Sequence, residues 1–186
     1  MRIMTAADVD EVLAIEHAVQ AYPWTRGNFC DALDSSYLCY VEETSDCVDK
    51  ASVRGYAVLM PGVDEAELLN IGVAAAHQRQ GVGGMMLSMM LDVAGNRGVS
   101  RVLLEVRASN RAAIALYRRA GFIDVSVRRG YYRNAGGSED AVVMACDIPS
   151  PLAILPQVGK GNMGVEGINS ASLPQAGERL GERGDG

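Results

Sequence analysis

Apolar residues fall at Val82, Met85, Met86, Met89, Met90 and Val93, the i, i+3, i+4, i+7, i+8, i+11 series of one helical face. Gly98 is the expected stop of this helix, with Arg97 in its last turn facing the negative end of the dipole. A second stripe, Val9, Val12, Leu13 and Val19, follows Thr5, which forms a capping-box variant with Asp8. Tyr22-Pro23-Trp24 breaks that helix, and Thr25 caps a shorter one to about Leu33. Asn110 opens a further helix with Ala113, Leu116, Tyr117 and Ala120 on one face. Short apolar runs at 2–4, 37–42, 55–60, 67–73, 101–106, 122–128 and 141–147 read as strands. The polar stretch 43–54 is a long hairpin connection with Cys47 near its tip, and Pro61-Gly62 turns the chain again. The order predicts an α/β fold, a mixed twisted sheet with helices on both faces.

The strand 67–73 runs into Gln78-Arg79-Gln80-Gly81-Val82-Gly83-Gly84, and the Val82 helix starts at once. Glycines at a helix N-terminus expose backbone donors that have no intrahelical partner, a ready anion site. Gly81, Gly83 and Gly84 would let a diphosphate approach without meeting a Cβ, and Arg79 can add a charge-assisted hydrogen bond. A phosphate loop of the Walker type needs Gly-Lys-Ser/Thr, but Met85 follows Gly84. A dinucleotide fingerprint needs a third glycine where Met86 stands. Taken alone, the Gly-x-Gly-Gly reads equally as a tight turn that binds nothing.

Composition narrows the classes. Apolar residues make up 48% of 186, as in a globular chain. Net charge is −6 with a pI near 4.9, which argues against direct nucleic-acid binding. Residues 1–12 carry Asp8, Asp10 and Glu11 and no long apolar core, so they do not read as a signal peptide. The densest apolar run, 85–91, is too short to span a bilayer. The expected compartment is the cytoplasm. Cys30, Cys39, Cys47 and Cys146 form no C-x-x-C pair, and His17 and His77 are far apart. No metal site is expected, and the thiols read as small hydrophobes or free surface groups.

Longer motifs carry a resemblance. Gln78-Arg79-Gln80-Gly81-Val82-Gly83 resembles the pyrophosphate-binding motif of the GCN5-related N-acetyltransferases, whose co-substrate is acetyl-CoA. Leu104 to Asn110, Ala113-Ile114-Ala115-Leu116-Tyr117, Gly121-Phe122 and Arg128-Arg129-Gly130-Tyr131-Tyr132 extend the match. Together they resemble the RimI-type branch, which acetylates the N-terminal alanine of the eighteenth small-subunit ribosomal protein. The resemblance covers residues 1–148 and implies an acetyltransferase domain there. It implies that Glu105 is the proton acceptor and Tyr117 the proton donor to the leaving sulfur. It further implies that Ile71, Gly72 and Val73 pair with the pantetheine arm through their backbone, in a gap between two strands. Arg79 to Gly84 would hold the pyrophosphate, and Asn110 would contact the coenzyme. Gly84 stands where the family often carries a basic residue, so one phosphate contact is missing. Tyr22, Trp24, Tyr131 and Tyr132 are candidates to shape a peptide groove.

The chemistry of these residue types agrees with that implication. Amine acetylation needs a base for the amine, a donor for the thioester oxygen and support for the departing thiolate. Glu105 lies in the apolar run Val102-Leu103-Leu104-Glu105-Val106; partial desolvation there would raise a carboxyl pKa. Alone, Glu105 reads rather as a solvated strand residue and Tyr117 as core, and a helix cap is reason enough for Asn110. An α-amine, with a pKa near 8 against about 10.4 for lysine, asks less of such a base. Alternatives are a same-fold enzyme for other protein termini, lysines or small amines, and a non-catalytic acyl-CoA-binding module.

Residues 149–186 differ in kind. They hold eight of the 21 glycines and four of the 6 prolines, with no aromatic residue. The stretch reads as a disordered tail whose apolar cluster is Pro151 to Leu155. A chain ending at Ile148 is therefore expected to fold and keep full turnover. Circular dichroism and acetyl-transfer rates check this; loss of folding would show that the tail belongs to the domain.

Overall fold

A computed structural model describes residues 1–44, 52–134 and 137–149. The tip of the 43–54 connection, with Cys47, and the tail from residue 150 lie outside the described residues. In chain order the elements are β1 (Arg2–Ile3), α1 (Val9–Val19), α2 (Arg26–Asp34), β2 (Leu38–Glu43), β3 (Val53–Pro61) and β4 (Glu65–Val73). Then come α3 (Val82–Gly95), β5 (Arg101–Arg107), α4 (Arg111–Arg119), β6 (Ile123–Asn134) and β7 (Gly137–Asp147). A 3-10 turn over Ala6–Asp8 leads into α1.

The strands form one 7-stranded sheet in the order β1-β2-β3-β4-β5-β7-β6. Neighbours are antiparallel except β4 and β5, which run parallel. A parallel pair needs a crossover, and α3 provides it. One sheet face carries Val102, Leu104 and Met144 against Met86, Leu87 and Met90 of α3 and Phe122 after α4. The other carries Cys39, Val41, Tyr56 and Val58 against Val9, Val12 and Ile15 of α1 and Phe29 of α2. Trp24 packs tilted against Phe29 there, and Phe29 edge-on to Tyr56, with successive centroids 5.2 and 5.5 Å apart. Among the described residues, no helix is long and apolar enough to cross a membrane.

The helix ends obey their expected signals. Thr25 Oγ1 accepts the Asn28 N–H at the start of α2. Asn110 Oδ1 accepts the Ala113 N–H at the start of α4. Gly98, at φ +84°, closes α3, with Gly98 N–H on Gly95 O and Val99 N–H on Ala94 O, the paired bonds of a Schellman motif.

Two expectations need correction. Met85 and Met89 are 38% and 37% exposed, while Leu87 and Ala94 are buried. The doublets Met85-Met86 and Met89-Met90 admit two helical phases, and packing on the sheet selects the Met86–Met90 one. The last two strands also run longer than their apolar runs. Register shifts in β6 let Tyr132 pair with Glu139, well beyond Arg128 on Ala141.

Arg2 grips the start of α1. Its guanidinium donates to Asp8 at 2.7 and 2.8 Å, and Asp8 Oδ2 accepts the Thr5 N–H at 2.7 Å. The Arg2 hydrogen bonds hold the Asp8 carboxyl well below the usual carboxylate range. A carboxyl depressed in the folded state stabilises above its unfolded pKa and loses that stability as pH falls toward the folded value. Asp8→Asn is expected to cost about 1–2 kcal/mol at pH 7, with the deficit narrowing below about pH 4. Urea unfolding at several pH values checks it; a deficit independent of pH would refute the ion pair's role.

Candidate active site

The pairing of β4 with β5 stops at Leu68 on Leu104. On its other edge, β4 matches Asn70 to Val58 and Leu68 to Leu59, so Leu69 is an extra residue. Such a bulge bends and twists its strand. It also shifts which side chains face which way. Ala66 and Leu68 pack into the α3 core, and so do Ile71 and Val73, an odd step from Leu68. Asn70 turns the other way and donates to Glu16 at 3.1 Å. β5 meanwhile stays on β7 as far as Arg107 on Ala141. The two strands part, and a wedge opens between them.

The free edge of β4 looks into this wedge. Ile71 O accepts a long bond of 3.5 Å from the Gln20 amide, and Val73 O accepts one of 3.0 Å from Gln78. In a strand, the N–H and C=O of one residue point the same way. The Ile71 and Val73 N–H groups thus face away from β3. Gly72 faces Tyr56 on β3. A backbone role puts no demand on the side chain at Gly72, but the fold does: a Cβ there would lie 2.5 Å from the Tyr56 ring.

A cavity of about 580 Å³ occupies the wedge, and Tyr22, Trp24, Ile71, Glu105, Asn110, Tyr117 and Tyr132 all line it. Tyr131 does not; it is exposed and sits edge-on to Tyr132, 5.1 Å between centroids. Gly72, Val73 and the 79–84 loop also lie outside this lining.

Glu105 is 16% exposed, and Arg128 Nη1 is 2.7 Å from its Oε1. The sequence reading had the carboxylate alone among apolar residues; it has a cationic partner. Glu67 on β4 lies nearby, and burial, then the Glu105 charge, pushes its carboxyl up. Tyr117 is buried, with its ring 5.8 Å from that of Phe122. Burial, then the neighbouring Tyr132, pushes its phenol up to about 12.

Besides Glu105, the cavity is lined by two charged residues that the sequence does not single out, Glu16 and Arg107. Glu16 is buried in α1 and accepts from Trp24 N–H at 2.7 Å, from Asn70 and from the Tyr56 hydroxyl. Burial pushes its carboxyl up. Its signal was a carboxylate at i+4 from Val12 on the apolar stripe of α1. Arg107 was marked only by its place two residues after Glu105, on the same strand face.

The glycine loop has its own logic. Gly81 caps α3 at φ +84°, and Arg79 is at φ +62°. A Cβ on Gly81 would meet no protein atom within 4 Å, so this glycine borders open space. Gly83 and Gly84 point elsewhere: a Cβ on either would touch Leu116 of α4, at 3.6 and 3.8 Å. The expectation that all three clear a path for an anion is thus narrowed to Gly81. Gln80 Nε2 donates to Ala76 O at 2.9 Å, so its side chain braces the loop, as Gln78 does. The N–H groups of Val82, Gly83 and Gly84 open α3 and have no intrahelical acceptor.

Comparison with known proteins decides the lineage. The profile of the Acetyltransferase (GNAT) family matches residues 8–122. The chain belongs to the GNAT acetyltransferase family. It is 40% identical over 146 residues to the ribosomal protein bS18-alanine N-acetyltransferase of Salmonella typhimurium, covering 78% of this chain and 95% of that one. The Escherichia coli protein of the same name is 37% identical over 145 residues, with the same coverage. The crystal structure of the Escherichia coli ribosomal-protein-S18-alanine N-acetyltransferase superposes with a TM-score of 0.72 at 36% identity, covering 79% of this chain and 92% of that one. The protein is thus a GNAT acyltransferase, of a family that uses acetyl-CoA.

The GNAT sheet gives Gly72 a structural duty that can be measured. Gly72→Ala is expected to displace Tyr56 from Glu16 and cost about 1–3 kcal/mol. Thermal unfolding checks it, and an unchanged midpoint would mean that the Tyr56 ring yields freely.

Proposed function

We propose that this GNAT enzyme acetylates the α-amine of an N-terminal alanine on a small-subunit ribosomal protein, with acetyl-CoA as donor. The observation that carries the proposal is that Glu105 and Tyr117 line one cavity beside the free edge of β4. The curated relatives matched over 95% of their length carry that activity in their names. The catalytic unit is residues 1–148, with the cytoplasm as its place of work.

Bound acetyl-CoA supplies the acetyl thioester. The wedge suits its arm: Ile71, Gly72 and Val73 offer an unpaired strand edge, as the wedge between β4 and β5 requires. The N-terminus of α3 with Arg79, Gln80, Gly81, Val82, Gly83 and Gly84 suits its pyrophosphate. Asn110 borders the same cavity while capping α4. A backbone N–H of the β4 edge is the donor for the thioester oxygen.

Glu105 takes the proton of the amine, directly or through one water. Arg128 holds this carboxylate until the incoming ammonium competes for it. Tyr117 acts on the other side. A phenol held at about 12 stays protonated across the working range. A thiol near 8.5 is the stronger acid, so Tyr117 supports the departing sulfur by donating a hydrogen bond rather than by surrendering its proton outright. Tyr22, Trp24 and Tyr132 line the acceptor side, and Tyr131 borders it through Tyr132.

The deciding experiment offers acetyl-CoA with an Ala-terminated ribosomal peptide, the same peptide blocked at its α-amine, and free polyamines. Mass spectrometry is expected to find the acetyl group on the free α-amine. Label on the blocked peptide or on the polyamines alone would replace this reading with a lysine or small-amine enzyme. Glu105→Gln is expected to lower kcat by roughly 10²–10⁴-fold with acetyl-CoA binding near normal. Unchanged turnover would remove Glu105 as the base.

A further inference from the structure

Charge is spread unevenly along this chain. Residues 107–133 hold seven of its 17 cationic side chains, all of them arginine, and one of its 23 acidic ones, Asp124. The net charge of −6 is thus an average over an acidic body and one strongly basic segment. That average argues against nucleic acid for the molecule as a whole, not for this segment. The segment comprises the end of β5, α4 and most of β6, and β6 is the last strand of the sheet.

Three of the seven arginines are committed. Arg107 lies between the Tyr22 and Tyr132 rings, 4.0 Å from each centroid, and 3.2 Å from Glu139. Arg128 holds Glu105. Arg118 donates to Asp124 at 2.7 Å, which ties α4 to the start of β6. The other four, Arg111, Arg119, Arg129 and Arg133, are exposed and have no carboxylate partner among the described residues. Leu116, Tyr117 and Ala120 of α4 pack on the core, which leaves Arg111 and Arg119 outward, about 12 Å apart along the helix. Tyr132 lines the catalytic cavity, so alternation turns Arg133 to the opposite side of the sheet, where α4 lies. Arg129 stands in the bulge between Arg128 and Tyr132, beside Tyr131, whose ring is 49% exposed.

Four like charges gathered at one edge repel one another, and no contact within the fold repays this; a polyanion would. Arginine forks grip phosphate oxygens two at a time. A free aromatic ring among such cations suits single-stranded nucleic acid, with phosphates on the guanidinium groups and a base on the ring. A carboxylate-rich peptide would leave the ring unused. None of the four arginines lines the catalytic cavity, so a strand bound along this edge leaves that cavity open.

We propose that the arginine edge of α4 and β6 binds single-stranded RNA, and that the enzyme thereby meets its ribosomal-protein substrate beside ribosomal RNA. The binding stands on the arginine edge alone; its use rests on the ribosomal-protein reading above.

Fluorescence anisotropy tests the binding, with the full chain, acetyl-CoA at saturation to fill the anion loop, and a labelled single-stranded RNA of about 20 nucleotides. With four phosphate contacts, log K is expected to fall with log salt at a slope of about −3. Arg119→Gln and Arg133→Gln each remove one contact, so each should flatten the slope by about 0.7 and weaken binding about 5-fold at about 0.1 M salt. The double variant should lose about 25-fold, because the two side chains sit on separate elements. Its kcat and KM for a free Ala-terminated peptide should stay within about 2-fold of the wild type. For the same peptide joined to the RNA, the wild-type KM should fall about 10-fold, and the double variant should lose that gain. Absence of binding at about 50 mM salt, binding unchanged in the double variant, or equal displacement of the RNA by polyglutamate would each overturn the RNA edge. A conjugate acetylated no better than the free peptide would overturn its use. A free peptide that is not acetylated at all would overturn the reading above and that use with it, whereas the anisotropy decides the binding without any acceptor.

Discussion

One extra residue in β4 sets the geometry of everything near the cavity. Leu69 has no partner on β3, so the strand bends just where its parallel pairing with β5 ends. Continuous pairing would satisfy every backbone group along both strands. The bulge forgoes several of those bonds and leaves a strand edge facing a wedge. A buried unpaired edge is costly in a folded protein, and side-chain amides from Gln20 and Gln78 meet only its carbonyls. A ligand with an extended amide-bearing arm is the natural complement of the N–H groups that remain. The same bend turns Asn70 toward Glu16 and Tyr56, which tie α1 and the Trp24 segment to the sheet. The free edge of β4 and the Trp24 side of the cavity thus share one origin.

Charge around the cavity is balanced in pairs. Glu105 has Arg128, and Glu139 has Arg107. Among the described residues no cation contacts buried Glu16, which three donors satisfy instead. Half-buried carboxylates left alone would cost several kcal/mol or take up a proton. Paired, they keep the site near neutral and ready to exchange one cation for another. In the proposed mechanism, an incoming ammonium that displaces Arg128 from Glu105 changes the partner without leaving a bare charge. Tyr117 completes the set as a neutral donor, held so by burial.

Much of this was legible in the amino-acid order. The helix caps at Thr25 and Asn110, the Gly98 stop and the glycine turn that opens α3 announce themselves because each needs a particular residue type at a fixed offset. Glu105 and Tyr117 were readable through the longer motif, and one cavity does unite them. The bulge was not readable: Leu68-Leu69 passes for an ordinary apolar run before Asn70, so nothing in the pattern marks the added residue. The methionine doublets hid the phase of α3, because Met85 and Met86 are equally apolar and only the sheet chooses. Gly72 carries no mark of its constraint in the amino-acid order, since the Tyr56 ring that forbids a side chain there comes from another strand. Arg107 and Arg128 read as ordinary strand cations, because stacking and ion pairs across the sheet depend on register.

The most direct test is the crystal structure of the acetyl-CoA complex. The wedge requires the pantetheine arm to lie along residues 71–73, hydrogen-bonded to the Ile71 and Val73 backbone, with its thioester between Glu105 and Tyr117. An arm bound elsewhere, or a β4–β5 pair zipped closed beyond Leu68 and Leu104 in that complex, would contradict it.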